Sequence, residues 1–202
     1  MFELNNLNVV VEEFNDSKIY TVDNCLKHPE KVIEYLNNTE TPLWKVNEPN
    51  SLNGLFFDDR RHIITEGTKE FRNRLKEVCG AKKDVYGEVY SNYTNFYEDP
   101  FNDYKSKFWY PHKDDGYTAL IYLNKYEGAG TNLYEQVEPD YEDVTEHSKP
   151  WRDRYKYRVI KTLESKFNRL VIFDGKKFKH GMAIEDNTFF HQRRINLAIF
   201  YC

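Results

Sequence analysis

Tyr110-Pro111-His112-Lys113-Asp114-Asp115-Gly116-Tyr117, running directly into Thr118-Ala119-Leu120-Ile121-Tyr122-Leu123-Asn124, holds both a fold signal and a chemical signal. Tyr117 to Asn124 is a short apolar run bounded by turn residues, the pattern of a strand. Ahead of it, His112 and Asp114 stand two residues apart. On an extended backbone such residues point to the same side, so an imidazole and a carboxylate can aim at one point. That is a two-ligand corner for a metal. One more ligand on the same face, with the remaining positions open, would complete the two-His-one-carboxylate set that suits Fe(II) and its oxygen chemistry. By itself His-x-Asp is more often a polar strand end or a capping pair, so the weight falls on what surrounds it.

Downstream, Asn168-Arg169-Leu170-Val171-Ile172-Phe173-Asp174-Gly175 reads as a strand leaving into a turn, and His180-Gly181 follows closely. A histidine just past such a strand can face back across a sandwich, which makes His180 the expected third ligand. His191, after the bulky Phe189-Phe190, and His147, in a charged stretch, are the alternatives. The last strand begins at Arg194. Alternation puts Ile195, Leu197 and Ile199 on one face and Arg194, Asn196, Ala198 and Phe200 on the other. An arginine buried on the non-aliphatic face requires an anionic partner, because an unpaired buried charge is very costly. A carboxylate taken by the guanidinium fork is the natural one. Arg193 is the competing anchor, and alternation favours Arg194 because it shares its face with Asn196.

Upstream, Asp84 onward has period two, with Val85, Gly87, Val89, Ser91 and Tyr93 on one side. Lys18 to Val22 predicts a short strand, and Pro29 opens a helix through Val32, Ile33 and Leu36. The spacing of Ile64, Thr68, Phe71, Leu75 and Val78 predicts a second helix stopped by Gly80. Pro49 to Gly54 is a turn-rich loop. Glu138 to Lys166, crowded with charges of both signs, reads as an insertion of about 138–167, either a solvated excursion with room for one helix or hairpin or a lid or substrate-recognition element. The expected fold is α+β, a single domain over 1–202. Residues 1–83 form helical and mixed support, and 84–202 form a β-sandwich or double-sheet jelly-roll core.

The composition agrees with a sheet-rich enzyme or binding domain. Sixteen Tyr, 14 Phe and 3 Trp are residues that favour pleated, half-buried surfaces. With 29 Lys+Arg against 33 Asp+Glu the net charge is −4, and no basic block marks a nucleic-acid partner. Cys25, Cys79 and Cys202 are odd in number and far apart, neither a disulfide framework nor a cysteine-zinc spacing. No run of 18 apolar residues and no basic-then-apolar leader occurs, so a soluble, cytoplasmic protein is expected.

Together, His112-x-Asp114, the Leu120-Ile121-Tyr122-Leu123-Asn124 strand, the Gly128-Ala129-Gly130-Thr131 turn, His180 and Arg194 resemble the 2-oxoglutarate/Fe(II) dioxygenase superfamily, nearest its prolyl-hydroxylase-like branch. The resemblance covers roughly residues 84–202. It implies a double-stranded β-helix with supporting N-terminal helices and Fe(II) held by His112, Asp114 and His180. It also implies 2-oxoglutarate as co-substrate, chelating iron at its keto-acid end, with its far carboxylate on Arg194 and the Tyr122 phenol and Asn196 beside it. Oxygen would be consumed and succinate and CO2 released, with hydroxylation of a protein side chain or a small molecule. A cupin-like jelly-roll module that binds metal without oxidation is the first alternative. A metal-free protein in which His112 and Asp114 only bond backbone groups is the second. Only the oxygenase needs the arginine-lined anionic pocket. Tyr93, Tyr97, Trp109, Tyr110 and Tyr117 can line the site or simply pack, and His28 and His62 have no partner pattern.

Overall fold

A computed structural model describes residues 1–39, 43–44, 57–96, 105–125, 130–139, 151–184, 192 and 194–202. In chain order these form β1 (Val10–Phe14), β2 (Ser17–Val22), α1 (Pro29–Asn38), β3 (Leu43–Trp44), β4 (Phe57–Ile64), α2 (Lys69–Cys79), β5 (Val89–Phe96), β6 (Lys107–Trp109), β7 (Tyr117–Tyr122), β8 (Thr131–Gln136), β9 (Trp151–Asp153), β10 (Tyr157–Leu163), β11 (Arg169–Asp174), β12 (Lys179–Met182) and β13 (Arg194–Tyr201). Pro29 starts α1, where its fixed φ suits the first turn, and Gly80 closes α2 in the left-handed conformation at φ 67°.

Antiparallel pairing builds an eight-stranded sheet in the order β1-β2-β11-β7-β13-β5-β4-β3 and a three-stranded sheet in the order β10-β8-β12. A bridge between His112 and His180 extends the small sheet by one more segment, and β6 pairs with β9. From β5 the chain alternates between layers. It passes from the large sheet to the His112 segment of the small one, back to β7, over to β8 and β10, back to β11, over to β12, and home to β13. This winding is a double-stranded β-helix, a jelly roll of two packed sheets.

Why β7 is apolar on both sides follows from its central place. Ala119, Ile121 and Leu123 pack with Val32, Leu36, Phe71 and Leu75 of the two helices. The alternate residues Leu120 and Tyr122 turn into the sandwich, against Leu133 and Leu163 of the small sheet. The helices thus close one face of the large sheet and the small sheet closes the other. Each fully buried Leu or Ile here contributes about 1.5–3 kcal/mol relative to exposure. The N-terminal strands are tied in by Asn168, whose side chain accepts from the Leu26 N–H (2.9 Å) and donates to the Leu26 carbonyl (2.8 Å).

Four expectations need correction. Ile64 ends β4 rather than opening the second helix, which starts at Lys69; the spacing that includes Ile64 is matched because its side chain joins the same core as Phe71 and Leu75. The support region also lends β1 to β4 to the large sheet. The charged stretch is not an excursion throughout, since Tyr157–Leu163 is a strand of the small sheet. Its charges are paired across strands, Arg158 with Glu135 and Lys161 with Glu12 at 2.8 Å, while Tyr157 and Leu163 are buried. The predicted strand from Asp84 begins at Val89. Pro49 to Gly54 lies outside the described residues, as do residues 140–150. No helix among the described residues is long and apolar enough to cross a membrane.

Candidate metal centre

His112, Asp114 and His180 come together at one end of the sandwich. The backbones of His112 and His180 exchange hydrogen bonds, His112 N–H to the His180 carbonyl at 3.0 Å and His180 N–H to the His112 carbonyl at 2.7 Å. Two strands paired residue to residue present both imidazoles on one face. Gly181 permits the approach, since a Cβ there would collide with the carbonyl oxygens of Trp109 and Tyr110. Tyr110 adopts φ 44°, an uncommon conformation for a bulky residue, directly before Pro111 and His112. Asp114 is held by its own N–H, which donates to the Gly175 carbonyl at 3.0 Å, and by the Thr118 hydroxyl, which donates to its carboxylate. A side chain at Gly175 would strike Thr118 and the Asp114 Cβ.

The orientation of the rings is fixed by their second nitrogens. Nδ1 of His112 lies 2.7 Å from the Tyr110 carbonyl, and Nδ1 of His180 lies 3.1 Å from the Phe178 carbonyl. A carbonyl only accepts, so each Nδ1 carries the proton and each Nε2 is turned elsewhere. Both Nε2 atoms face Asp114: that of His180 lies 3.1 Å from Oδ2 and that of His112 lies 3.8 Å from Oδ1. One ligand atom from each residue, all within 4.8 Å of one another, makes a group able to hold a cation. Two ligands at right angles with bonds of about 2.1 Å sit roughly 3 Å apart. The donor set therefore fits a metal with small adjustment. With both Nδ1–H groups committed, two imidazole nitrogens and a carboxylate require positive charge between them, supplied by protons or by a metal ion.

Asp114 suits the part electrostatically. Burial pushes its carboxyl up, but the His180 and His112 rings, when they carry a second proton, and the Thr118 hydroxyl outweigh it and bring it down to about 2; a metal cation on the bare Nε2 atoms would take the place of those protons. His180 is buried at 4% exposure and its ring meets Phe173 edge-on at 4.8 Å, while the His112 ring is flanked by Tyr110 at 4.6 Å.

Further along the same interior stripe sit Tyr122, Asn196 and Arg194. Asn196 is directly opposite Tyr122 across β13 and β7. Arg194, 7% exposed, donates to Asn196 Oδ1 at 2.8 Å and to the Gly130 carbonyl at 3.3 Å, and its guanidinium lies 5.8 Å from the Tyr122 ring centre. The Tyr122 hydroxyl donates to Thr131 at 2.9 Å. Burial raises the Tyr122 phenol, against the Arg194 charge and the Thr131 bond, so it remains a neutral donor. Thr118, beside Asp114, and Tyr122 are four residues apart on β7, roughly 13 Å of strand. The buried Arg194 guanidinium and the metal-binding group therefore lie toward the two ends of one inward sheet face.

His191, His147, Arg193 and Tyr97 lie outside the described residues, and of Tyr93 only the backbone is described. His28 precedes α1 and pairs with Glu30 at 3.3 Å, His62 belongs to β4, and Tyr117 packs into the helix-side core. Thr118 escaped the sequence reading. Its signal was there: two residues before Leu120 and four before Tyr122, it shares their inward face.

No family model matches the chain, and no curated protein matches it in sequence. Solved structures do match. An oxidoreductase of the 2OG-Fe(II) oxygenase family from Burkholderia pseudomallei aligns with a TM-score of 0.51 at 11% identity, over 91% of this chain and 83% of that one. OsALKBH1 aligns with a TM-score of 0.48 at 12% identity, over 96% of this chain and 100% of that one. At such identity the likeness to the first structure is one of fold, and the fold is one on which a 2OG-Fe(II) oxygenase is built.

Proposed function

We propose that this protein is a non-haem Fe(II) and 2-oxoglutarate-dependent oxygenase, a hydroxylase of a protein side chain or a small molecule. The observation that carries the reading is the convergence of His112, Asp114 and His180 with both histidine Nδ1 atoms turned onto carbonyls. A structural His–Asp pair would need no second histidine with the same tautomer. In this reading His112, Asp114 and His180 hold Fe(II), and Arg194 takes the far carboxylate of 2-oxoglutarate with Tyr122 and Asn196 beside it. When bound, iron and 2-oxoglutarate together supply O2-dependent oxidation with release of succinate and CO2.

The chain's own residues do the rest. The two carbonyls hold each imidazole in the ligating tautomer. Thr118 fixes the carboxylate rotamer. Arg194, buried beside the inner cluster of Leu120, Tyr122 and Leu133, would neutralise the anion. The test is slow uncoupled turnover. Purified protein with Fe(II), ascorbate and 2-oxoglutarate in air should form succinate in proportion to added iron, read by NMR. Succinate formation that is equal without protein, or unaffected by iron, would overturn the reading.

A further inference from the structure

Three valines in a row stand on the outermost strand of the large sheet. β1 pairs with β2 on one side and, among the described residues, with no strand on the other. Val9, Val10 and Val11 are 38%, 66% and 49% exposed, and none of them joins either core cluster. Charged residues ordinarily keep such an edge from pairing with another chain. Here the two acids of the strand are already matched within the chain, Glu12 with Lys161 at 2.8 Å and Glu13 with Lys18 at 3.5 Å. The hairpin also fixes which backbone groups lie open. Asn15 and Asp16 have φ 46° and 55°, the paired positive values of a type I′ turn, and Phe14 stands opposite Ser17. In such a turn the Phe14 carbonyl accepts from the Ser17 N–H. Backbone groups alternate sides along a strand, so Phe14, Glu12 and Val10 direct theirs to β2, while Glu13, Val11 and Val9 point theirs outward.

We infer that this edge is an interface for a second copy of the chain, β1 against β1, antiparallel about a two-fold axis at Val10, so that two large sheets join into one. Hydrogen bonding, apolar matching and charge select the same register. Residues with outward backbone groups must face one another, and a centre at Val10 sets Val9 against the partner's Val11 and Val11 against the partner's Val9. Every valine then meets a valine. Glu12 comes opposite Asn8, whose amide can donate to the carboxylate. The two copies of Glu12 stand roughly 13 Å apart along the strand, beyond the screening length of about 8 Å at physiological salt. A centre at Val11 also satisfies the backbone, but it sets Val10 opposite Glu12 and Val9 opposite Glu13. A centre at Val9 draws in Leu7, which is half-buried against the helix-side core. The pattern Asn8-Val9-Val10-Val11-Glu12 is thus complementary to itself when reversed, which is the requirement of a closed two-fold contact.

The test is sedimentation of the full chain from micromolar to millimolar concentration. A reversible monomer–dimer equilibrium is expected. Val10→Lys sets two ammonium groups directly opposite each other and should raise the dissociation constant at least about tenfold, with an unchanged urea midpoint as the check that the monomer is intact. Cross-linking reads the register. Cys25 and Cys79 are buried and Cys202 is exposed, so the background is Cys202→Ser. In it, Val10→Cys should give a disulfide-linked dimer on mild oxidation, since the Cα atoms of a directly opposed, non-hydrogen-bonded pair lie about 4.5 Å apart. Glu13→Cys should not, because its two copies would stand roughly 20 Å apart along the strand. A wild-type chain that stays monomeric throughout, a dimer that survives Val10→Lys unchanged, or equal cross-linking at the two positions would overturn the inference. None of these outcomes bears on the oxygenase reading.

Discussion

Nε2 of His180 lies 3.1 Å from Oδ2 of Asp114, although the histidine belongs to the small sheet and the aspartate to the segment leading into the large one. Their meeting is set by backbone. The paired N–H and carbonyl groups of His112 and His180 fix one strand against the other, and the Asp114 N–H is anchored on Gly175. The side chains converge because the two sheets meet there.

From this follows the first prediction. His112→Ala, Asp114→Ala and His180→Ala should each weaken Fe(II) binding by more than the 10–100-fold typical of losing an outer partner, while Thr118→Val should fall within about 10–100-fold. Anaerobic calorimetry measures both, with circular dichroism as the check on folding. Unchanged affinity in the His180 variant would remove it from the ligand set.

Gly181→Ala tests whether strand approach sets the site. A methyl group there meets the Trp109 and Tyr110 carbonyls, so the strand bearing His180 must shift. Overpacking of this kind costs about 1–3 kcal/mol. We expect a lower midpoint in urea and weaker metal binding together. A variant with wild-type stability and affinity would show that the two strands have slack.

Arg194→Ala should raise the 2-oxoglutarate requirement at least ~30-fold, since losing one partner of a buried charge pair costs about 2–5 kcal/mol and 1.4 kcal/mol is a decade. Arg194→Lys should recover part of the loss, because an ammonium keeps the charge but not the fork. Fe(II) affinity should persist in both. Normal 2-oxoglutarate dependence in the alanine variant would detach Arg194 from the co-substrate.

Much of this was legible in the chain because period-two alternation is a strong signal in central strands. The inward set Arg194, Asn196, Ala198 and Phe200 is found on one face, with Ala198 and Phe200 at the inner cluster and Leu197 and Ile199 against the helices. The limits came where cross-strand chemistry replaces apolar alternation. Tyr157–Leu163 reads as a charged loop because Arg158 and Lys161 find acidic partners on other strands, which no local pattern reveals. The tautomer-setting carbonyls of Tyr110 and Phe178 are backbone atoms and leave no mark in residue identity. Ile64 looks helical because strand and helix deliver their side chains to the same core.

Acid sensitivity should trace to Asp23 at the seam between β2 and β11. The hydrogen bond from Arg169, which bonds both its oxygens at 2.6 and 3.2 Å, outweighs the cost of burial and, with Lys166, brings the Asp23 carboxyl down to about 2 from an ordinary value of 3.8. A carboxyl lowered by folding adds stability that is full above its unfolded value and is lost as pH falls through the folded one. The window is therefore about pH 4 down to about pH 2. Asp23→Asn should be less stable than wild type at neutral pH and indistinguishable near pH 2, by urea denaturation across pH. A constant difference at every pH would place the effect in packing.

The central claim is that His112, Asp114 and His180 hold an iron that 2-oxoglutarate can chelate. Anaerobic titration of the Fe(II)-loaded protein with 2-oxoglutarate measures it directly, through the weak visible charge-transfer band of an iron-bound keto acid. The account predicts a saturable band that is absent in the Asp114→Ala variant and needs far more 2-oxoglutarate in the Arg194→Ala variant. Iron bound at full occupancy with no band at saturating 2-oxoglutarate would contradict it, leaving a metal-binding jelly roll without this oxidative chemistry.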